Sequence, residues 1–197
     1  MLVVIQCGGR AKRWEGREPK GATVVTGGER LVERTARLVA GHEVRLVADP
    51  AFAPYVPPGV AHVLPPGRHR SKLTDGWQDD DGVVLVLFGD VWFSEFCIKQ
   101  ALQSTGEVVW IGRNGPGSNG KRYGEIFGLY AGPGHLRSRL RVVAAHLGEE
   151  RAAWRARGQI RGHFCNVDDA TEDFDRVVDL ERWRAAHPEL LRPTPER

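Results

Sequence analysis

Two stretches of the chain combine residue types that could bind a polyanion and a metal cation. Gly8 and Gly9 open a loop, GGRAKRWEGREPK, that carries several arginines and lysines and ends at Lys20. Glycines let backbone N–H groups approach phosphate oxygens closely, and nearby cations neutralise the phosphate charge. The second stretch is Gly89-Asp90, which follows the apolar run VVLVLF. A carboxylate at the end of a strand is well placed to hold a hard cation.

The elements that must position these residues follow the pattern of an α/β domain. Strand-like apolar runs alternate with helical periodicities, which is typical of a mostly parallel sheet. The runs predict strands at residues 2–5, 44–47, 60–63, 83–88, 107–111, 125–130 and 163–167, and helices at residues 29–39, 71–77, 94–103, 135–156 and 171–186. Open parallel sheets bind ligands beyond the carboxyl ends of their strands. Both chemically suggestive stretches lie at such ends.

Length and composition indicate one globular domain, predicted over residues 1–187 with a tail at 188–197. The 197 residues are 41% hydrophobic and 27% charged, enough to bury a substantial core. A net charge of +3 is too small to indicate nucleic-acid binding. Cys7, Cys97 and Cys165 lack the CxxC spacing of a metal or redox site, and we expect reduced thiols in a cytoplasmic protein. No signal peptide or membrane span is expected.

Motifs distributed along the chain resemble those of the nucleotidyltransferase (NTP-transferase) family, which includes MobA-like and sugar-phosphate nucleotidyltransferases. They are GGRAKR at residues 8–13 with PK at 19–20, GGERLVER at 27–34, GDVWF at 89–93 and NVDDATEDF at 166–174. The order of these motifs is that of the family, and from the first to the last they span nearly the whole chain. The sequence departs from the family at Ala11, where glycine or serine is usual, and at Gln6-Cys7, where small apolar residues are common.

The resemblance implies a fold, an activity and a cofactor. The fold would be a Rossmann-like three-layer α/β/α domain of the type shared with GT-A enzymes. The activity would be Mg²⁺-dependent transfer of NMP from an NTP to a small phosphorylated acceptor, with release of pyrophosphate. Sugar 1-phosphates and alcohol phosphates are the leading acceptor classes. The expected partners are therefore the NTP and this acceptor. Binding to nucleic acid or to a membrane is not expected, and whether the chain forms a homodimer is left undecided.

The resemblance also implies which residues bind the nucleotide. Lys20 would bridge toward the transferred phosphoryl group, and Arg13 would pair with the triphosphate. Residues 67–73 (GRHRSKL) lie where the family contacts the base and sugar. The residues implied to bind the nucleotide are Gly8, Gly9, Arg10, Arg13, Gly67 and Ser71.

The metal is implied to bind at two acidic positions. Asp90 would coordinate Mg²⁺ together with either Asp168 or Asp169. An apolar residue followed by an acid favours Asp168, whereas counting back from Asp173 favours Asp169, so both stay open. Asp173 itself is expected inside the last helix, in a structural role.

Other functions and one other loop need to be considered. A GT-A glycosyltransferase would be expected to carry an Asp-x-Asp motif where this chain has Asp90-Val-Trp. A non-catalytic relative would bind NTP without releasing pyrophosphate, and nucleic-acid binding through the arginine-rich helix would be strongly salt-dependent. GPGSNGKR at residues 115–122 matches GxGxxG, but a strand follows it instead of a helix. We expect a flap there, with Arg113, Lys121 and Arg122 available to an anionic acceptor.

Overall fold

A computed structural model describes residues 1–7, 14, 18–65, 73–116, 124–147 and 152–191 of the chain. In this part of the chain the strands are β1 (Leu2–Gln6), β2 (Val24–Thr26), β3 (Glu29–Arg30), β4 (Glu43–Val47), β5 (Ala61–Val63), β6 (Val84–Phe88), β7 (Val91–Trp92), β8 (Val108–Arg113), β9 (Glu125–Ala131), β10 (His163–Asn166) and β11 (Glu172–Asp173). The α-helices are α1 (Leu31–Leu38), α2 (Glu95–Leu102), α3 (His135–His146), α4 (Ala152–Gln159) and α5 (Val177–Ala186). Short 3-10 helices span Lys20–Ala22, Pro50–Tyr55 and Pro188–Leu191.

A seven-stranded sheet with the order β10–β8–β9–β6–β1–β4–β5 forms the centre of the molecule. β1 is parallel to β4 and β6, β4 is parallel to β5, and β8 is parallel to β10. Only β9 runs antiparallel to its neighbours, β6 and β8, among these described strands. The predicted mostly parallel sheet is therefore confirmed. The carboxyl ends of β1, β6 and β8 and the amino end of β9 lie side by side. We call this end of the sheet, at which the parallel strands finish, the carboxyl edge.

Helices cover both faces of this sheet, which confirms the predicted three-layer α/β/α fold. On one face Val4 packs in a core with Leu140 of α3. On the other face Val3 packs in a core with Ile98 of α2. Because side chains alternate along a strand, adjacent residues of β1 serve opposite faces. A strand covered on both faces has a continuous apolar sequence, and this is why β1 and β6 could be predicted as strands from their apolar runs.

Two helix boundaries differ from those predicted. The helix predicted over residues 135–156 is two helices, because α3 ends at His146 and α4 begins at Ala152. The last helix begins at Val177 instead of residue 171. Its start is fixed by Asp179, whose Oδ2 accepts a hydrogen bond of 2.9 Å from the backbone N–H of Arg176. The predicted helix at residues 71–77 lies partly outside the described residues, and residues 73–76 form turns.

Two of the three arginines of α3, Arg137 and Arg141, do not lie on a solvated face, whereas Arg139 is exposed. Arg137 is buried, its guanidinium lies 4.9 Å from the centre of the Trp77 ring, and it donates to the Gly82 and Gln78 carbonyls. Arg141 lies 5.0 Å from the same ring. These residues clamp the segment that precedes β6, at the edge of the sheet opposite to the carboxyl edge.

A small aromatic core anchors α5 beside the β2–β3 hairpin, which the sequence did not predict. Trp183 of α5 lies 4.8 Å from Trp92 and 5.6 Å from Phe174, measured between ring centres. Arg184 donates to the Val24 carbonyl of β2 at 2.9 Å. These contacts fix the turn that enters α5 against β7. Among the described helices, none has the length and apolarity needed to cross a bilayer.

Candidate functional site

The carboxyl edge brings one lysine together with acids from distant parts of the chain. The Nζ atom of Lys20 lies 2.8 Å from Oδ2 of Asp90, 3.5 Å from Oδ1 of Asp173 and 3.6 Å from Oδ1 of Asp175. The Lys20 side chain is 12% exposed, and those of Asp173 and Asp175 are each 21% exposed. This is a half-buried, acid-rich cluster at the place where open α/β sheets bind ligands.

Lys20 reaches this edge because its backbone crosses very close to the end of β6. Pro19 precedes the 3-10 helix that begins at Lys20, and Ala22 donates to the Pro19 carbonyl at 2.8 Å. A Cβ atom on the next residue, Gly21, would lie 2.8 Å from the carbonyl oxygen of Gly89. Only a glycine fits this crossing without displacement, so the sequence Pro-Lys-Gly places the lysine beside the residue that follows Gly89.

Asp90 is presented by a tight turn between β6 and β7. The N–H of Gly89 donates to the Gln6 carbonyl at 2.9 Å, which continues the β1–β6 ladder by one bond. A Cβ atom on Gly89 would overlap the sulfur of Cys7. The glycine that precedes the aspartate is therefore a packing requirement, and it lets the chain turn directly over the end of β1.

Asp173 and Asp175 arrive on the segment that leads into α5. β11 pairs antiparallel with β7, with Asp173 opposite Val91. Val91 follows Asp90, so this pairing sets Asp173 close to Asp90 and Lys20. Asp175 follows in the turn before α5. The prediction that Asp173 lies inside the last helix is wrong, because the residue belongs to a strand.

Glu125 adds a further carboxylate at the start of β9. One oxygen from each of Glu125, Asp173 and Asp175 can be chosen so that all three lie within 4.8 Å of one another. Carboxylate oxygens are the ligands that hard divalent cations such as Mg²⁺ prefer. The donor set at the carboxyl edge therefore fits such a cation.

The electrostatics of the cluster reflect burial and mutual repulsion of its acids. Burial raises the pKa of the Asp90 carboxyl above its ordinary value, Lys20 opposes this shift and the charge of Asp173 adds to it. Burial alone would lower the pKa of Lys20, but attraction by Asp90, Asp173 and Asp175 outweighs it, and the pKa is raised. Lys20 thus stays charged at neutral pH among several carboxylates.

The structure places the other predicted acids differently. Asp169 accepts hydrogen bonds of 2.5 Å from Oγ of Ser94 and 2.7 Å from the N–H of Thr171. Asp168 is exposed. The acids that the structure brings beside Lys20 are thus Asp173 and Asp175, while Asp169 ties the segment before β11 to the start of α2.

Asp173 and Asp175 did leave a signal in the sequence. They are two residues apart with an apolar residue between them, which is the spacing of side chains on one face of a strand. Reading Asp179 as the capping acid of the last helix would have kept both acids outside that helix. Glu125 had no comparable signal, because it begins an otherwise apolar strand.

Several predicted residues lie outside the described part of the chain, and one is contradicted. Those outside it are Gly8, Gly9, Arg10, Arg13, Gly67, Ser71, Lys121 and Arg122. Arg113 is not available to an anionic acceptor as predicted. It is buried, with its Nη1 atom 2.8 Å from Oε2 of Glu172.

Comparisons with known proteins establish the fold. No protein-family model matches the chain, and no curated protein matches it. A Bacillus anthracis protein assigned as a glucose-1-phosphate thymidylyltransferase, solved with sucrose, superposes with a TM-score of 0.67 at 11% identity, covering 94% of this chain and 95% of that one. The homologue of Mycobacterium tuberculosis Rv0371c from Mycobacterium sp. strain JC1 gives a TM-score of 0.67 at 18% identity, covering 96% and 98%. CTP:phosphocholine cytidylyltransferase of Streptococcus pneumoniae gives 0.62 at 9% identity, covering 94% and 97%. The chain has the nucleotidyltransferase fold.

Proposed function

We propose that this chain, whose fold is that of nucleotidyltransferases, transfers a nucleoside monophosphate from an NTP to a small phosphorylated acceptor. The observation that carries the proposal is the cluster at the carboxyl edge, where Lys20 lies 2.8 Å from Asp90 and within 3.6 Å of Asp173 and Asp175. Two similar structures are described as acting on glucose 1-phosphate and phosphocholine. A sugar 1-phosphate or an alcohol phosphate is therefore the acceptor class that we propose.

The proposed reaction needs positioning and charge stabilisation more than a protein nucleophile. An oxygen of the acceptor phosphate attacks the α-phosphorus of the NTP, and a new P–O bond forms there. The bond from this phosphorus to the α–β bridging oxygen breaks, and its electron pair leaves with pyrophosphate. The acceptor phosphate is already ionised at neutral pH, so no general base is required. The protein's task is to hold both phosphates in line and to balance the negative charge.

Lys20 supplies the fixed positive charge in this scheme. Its ammonium is held by Asp90 and Asp173, which keep it charged and restrict its position. A charged donor in a site of low water content stabilises charge that develops on a transferred phosphoryl group. We also propose that six residues outside the described part of the chain bind the nucleotide. They are Gly8, Gly9, Arg10, Arg13, Gly67 and Ser71.

We propose that Asp90 holds Mg²⁺ together with Asp173 and Asp175, the two acids whose carboxylate oxygens also lie within 4.8 Å of one from Glu125. Asp173 and Asp175 take the place of Asp168 and Asp169 in this proposal because they lie beside Lys20 and Asp90. When bound, the cation would neutralise phosphate oxygens and stabilise the leaving pyrophosphate. The three carboxylates would position this cation, and the Lys20 ammonium would contact the nucleotide.

The proposal is tested by a screen for pyrophosphate release. Each of the four NTPs is incubated with Mg²⁺ and a panel of sugar phosphates and alcohol phosphates, and we expect release only in the presence of one acceptor class. The product should contain the NMP joined to the acceptor, as checked by mass spectrometry. NTP binding without release in the whole panel would contradict the proposal.

Asp90→Asn serves as the site variant in this screen, with Asp81→Asn as its matched control. Asp81 also binds a cation, Arg45, but it lies at the opposite edge of the sheet. We expect Asp90→Asn to slow turnover by about 10²-fold or more, as removal of one well-aimed electrostatic group commonly does. Asp81→Asn should keep the turnover of the wild-type chain.

A further inference from the structure

We infer that the buried ion pair between Arg113 and Glu172 positions Asp173 and Asp175 at the carboxyl edge and contributes little net stability. Its consequences for turnover rest on the proposed function. Arg113 is then a positioning residue, because it acts on the site through the segment that carries these acids and not through contact with substrate.

The guanidinium of Arg113 binds several residues of the segment that precedes Asp173. Nη1 lies 2.8 Å from Oε2 of Glu172, and Nη2 donates to the carbonyls of Asp169 at 2.8 Å and Thr171 at 2.6 Å. The Arg113 side chain is 8% exposed and that of Glu172 is 0% exposed. These bonds tie three residues of the 169–172 segment to the carboxyl end of β8.

The geometry of β11 transmits this anchoring to the site. Glu172 and Asp173 are successive residues of a strand, so their side chains point to opposite sides. With Glu172 held inward by Arg113, Asp173 must face Lys20. β11 has only two residues, and its pairing with β7 gives it few hydrogen bonds of its own. Its orientation therefore depends on side-chain bonds from other elements, among them those of Arg113.

A second set of bonds supports the same segment from α2. Ser94 caps α2 by accepting from the N–H of Cys97 at 2.9 Å, and its Oγ donates to Asp169 at 2.5 Å. The N–H of Ser94 donates to Oγ1 of Thr171 at 3.0 Å. Arg113 and Ser94 both bind the loop at residues 169–171, and this loop leads directly into Asp173 and Asp175.

The energetics of buried ion pairs separate a positioning role from a stabilising one. Desolvation of two buried charges largely offsets their attraction, and replacing such a pair with apolar residues of similar size is often neutral or stabilising. Removing one partner alone leaves a buried charge uncompensated and is strongly destabilising. A variant that replaces both charges can therefore keep the fold while losing the bonds to the Asp169 and Thr171 carbonyls.

The test uses the double variant Arg113→Met with Glu172→Leu. We expect the double variant to fold and to lose only the stability that its two unpaired carbonyls cost, because exchanging the two charges themselves for apolar groups is close to neutral. Turnover should fall about 10–100-fold and the Mg²⁺ concentration for half-maximal rate should rise by a similar factor, as with other residues that orient metal ligands. Arg137→Met is the matched control, because Arg137 is also buried and binds carbonyls, at the opposite edge. It should lose stability and keep the Mg²⁺ dependence.

A second readout requires neither turnover nor metal. Acetylation of Lys20, followed by mass spectrometry of its peptide, reports whether Asp173 and Asp175 still cover the ammonium. We expect severalfold faster acetylation in the double variant and no change in Arg137→Met. If the double variant does not fold, Arg113→Lys replaces it, because lysine keeps the charge but cannot reach Glu172 and both carbonyls together.

The outcomes separate this inference from the proposed function. If the wild-type chain releases no pyrophosphate with any acceptor, the proposed function is wrong. Acetylation of Lys20 still tests the inference in that case. A double variant with wild-type acetylation and wild-type Mg²⁺ dependence overturns the inference and leaves the proposed function standing. Loss of stability without faster acetylation would show that the pair only supports the fold, which also overturns it.

Discussion

Two clusters of opposite charges lie at opposite edges of the central sheet, and they differ in the ratio of acids to cations. The Lys20 cluster consists of Lys20, Asp90, Asp173 and Asp175. The Arg45 cluster consists of Arg45, Glu43 and Asp81. One ammonium faces three carboxylates in the first, and one guanidinium faces two in the second. The first cluster assembles acids from distant segments, whereas Glu43 is two residues from Arg45.

The cations of the two clusters also differ in burial. Lys20 is 12% exposed and Arg45 is 26% exposed, whereas the acids overlap, with Asp90 at 37% and Asp81 at 18%. Arg45 also donates to the Gly76 carbonyl, and Asp81 also accepts from the N–H of Gln78, so this cluster is an ordinary support of a turn. Gathering excess negative charge in a half-buried place raises the free energy of the folded state. We propose that this larger excess of acid receives a cation, whereas the Arg45 cluster, with one carboxylate fewer, supports a turn.

The largest effect should come from Lys20→Ala. We expect turnover to fall by about 10²–10³-fold, because a charged donor aimed at the reacting phosphate is lost. Since the three carboxylates then lack their ammonium, Mg²⁺ should raise the unfolding temperature of this variant more than that of the wild-type chain. Steady-state kinetics and thermal unfolding with and without Mg²⁺ measure both effects.

Lys99→Ala provides the control for this comparison. Lys99 is exposed on α2 and carries the same charge. It should change neither turnover nor the response to Mg²⁺. Equal turnover in Lys20→Ala and Lys99→Ala would remove the distinction between the Lys20 cluster and any surface charge.

A smaller effect is expected from Gly89→Ala, which disturbs the turn under Asp90. The added methyl group would overlap the Cys7 sulfur and lie 3.2 Å from Cγ2 of Ile5. Overpacking of this kind costs about 1–3 kcal/mol of unfolding free energy, and turnover should fall because Asp90 moves with the turn. Chemical denaturation and kinetics measure the two losses.

The same substitution elsewhere isolates the role of that turn. A methyl group at Gly158 in α4 meets no described atom within 4 Å. Gly158→Ala should therefore raise stability by about 0.5–1 kcal/mol, since alanine favours the helix. Adding Cys7→Ala to Gly89→Ala should recover most of the loss. A loss that persists without the sulfur would place its cause outside this contact.

The approach of Lys20 to Asp90 shows what the sequence could predict. Both residues follow apolar runs, and those runs form neighbouring parallel strands with in-register ends, Gln6 opposite Phe88. Strand recognition by composition and the rule that ligands bind at carboxyl ends were enough to bring the two residues to one edge. The fold class followed from the same apolar runs.

The remaining acids depended on contacts that local patterns do not encode. The segment between β10 and α5 contains five acids, and its pairing with β7 decides which of them face Lys20. Arg113 stands next to a glycine-rich stretch and was expected to be available to an anionic acceptor, but it is bound to Glu172, 59 residues away. In both places, contacts between distant segments outweighed the local sequence preference. The helix propensity of residues 171–176 therefore predicted a start of the last helix that is too early.

The smallest effect should come from Arg45→Met, and it tests the other half of the comparison. Ion pairs that are partly exposed typically contribute about 0–1 kcal/mol, since solvent screens them and ordering the side chains costs entropy. We expect an unfolding free energy lowered by no more than that and turnover equal to the wild-type value, as measured by denaturation and pyrophosphate release. The Arg45 guanidinium binds Glu43 and Asp81, which lie near the amino ends of β4 and β6, so losing it should leave Asp90 and Lys20 in place. If Arg45→Met slowed turnover as strongly as Lys20→Ala, the larger excess of acid in the Lys20 cluster would no longer distinguish the two clusters.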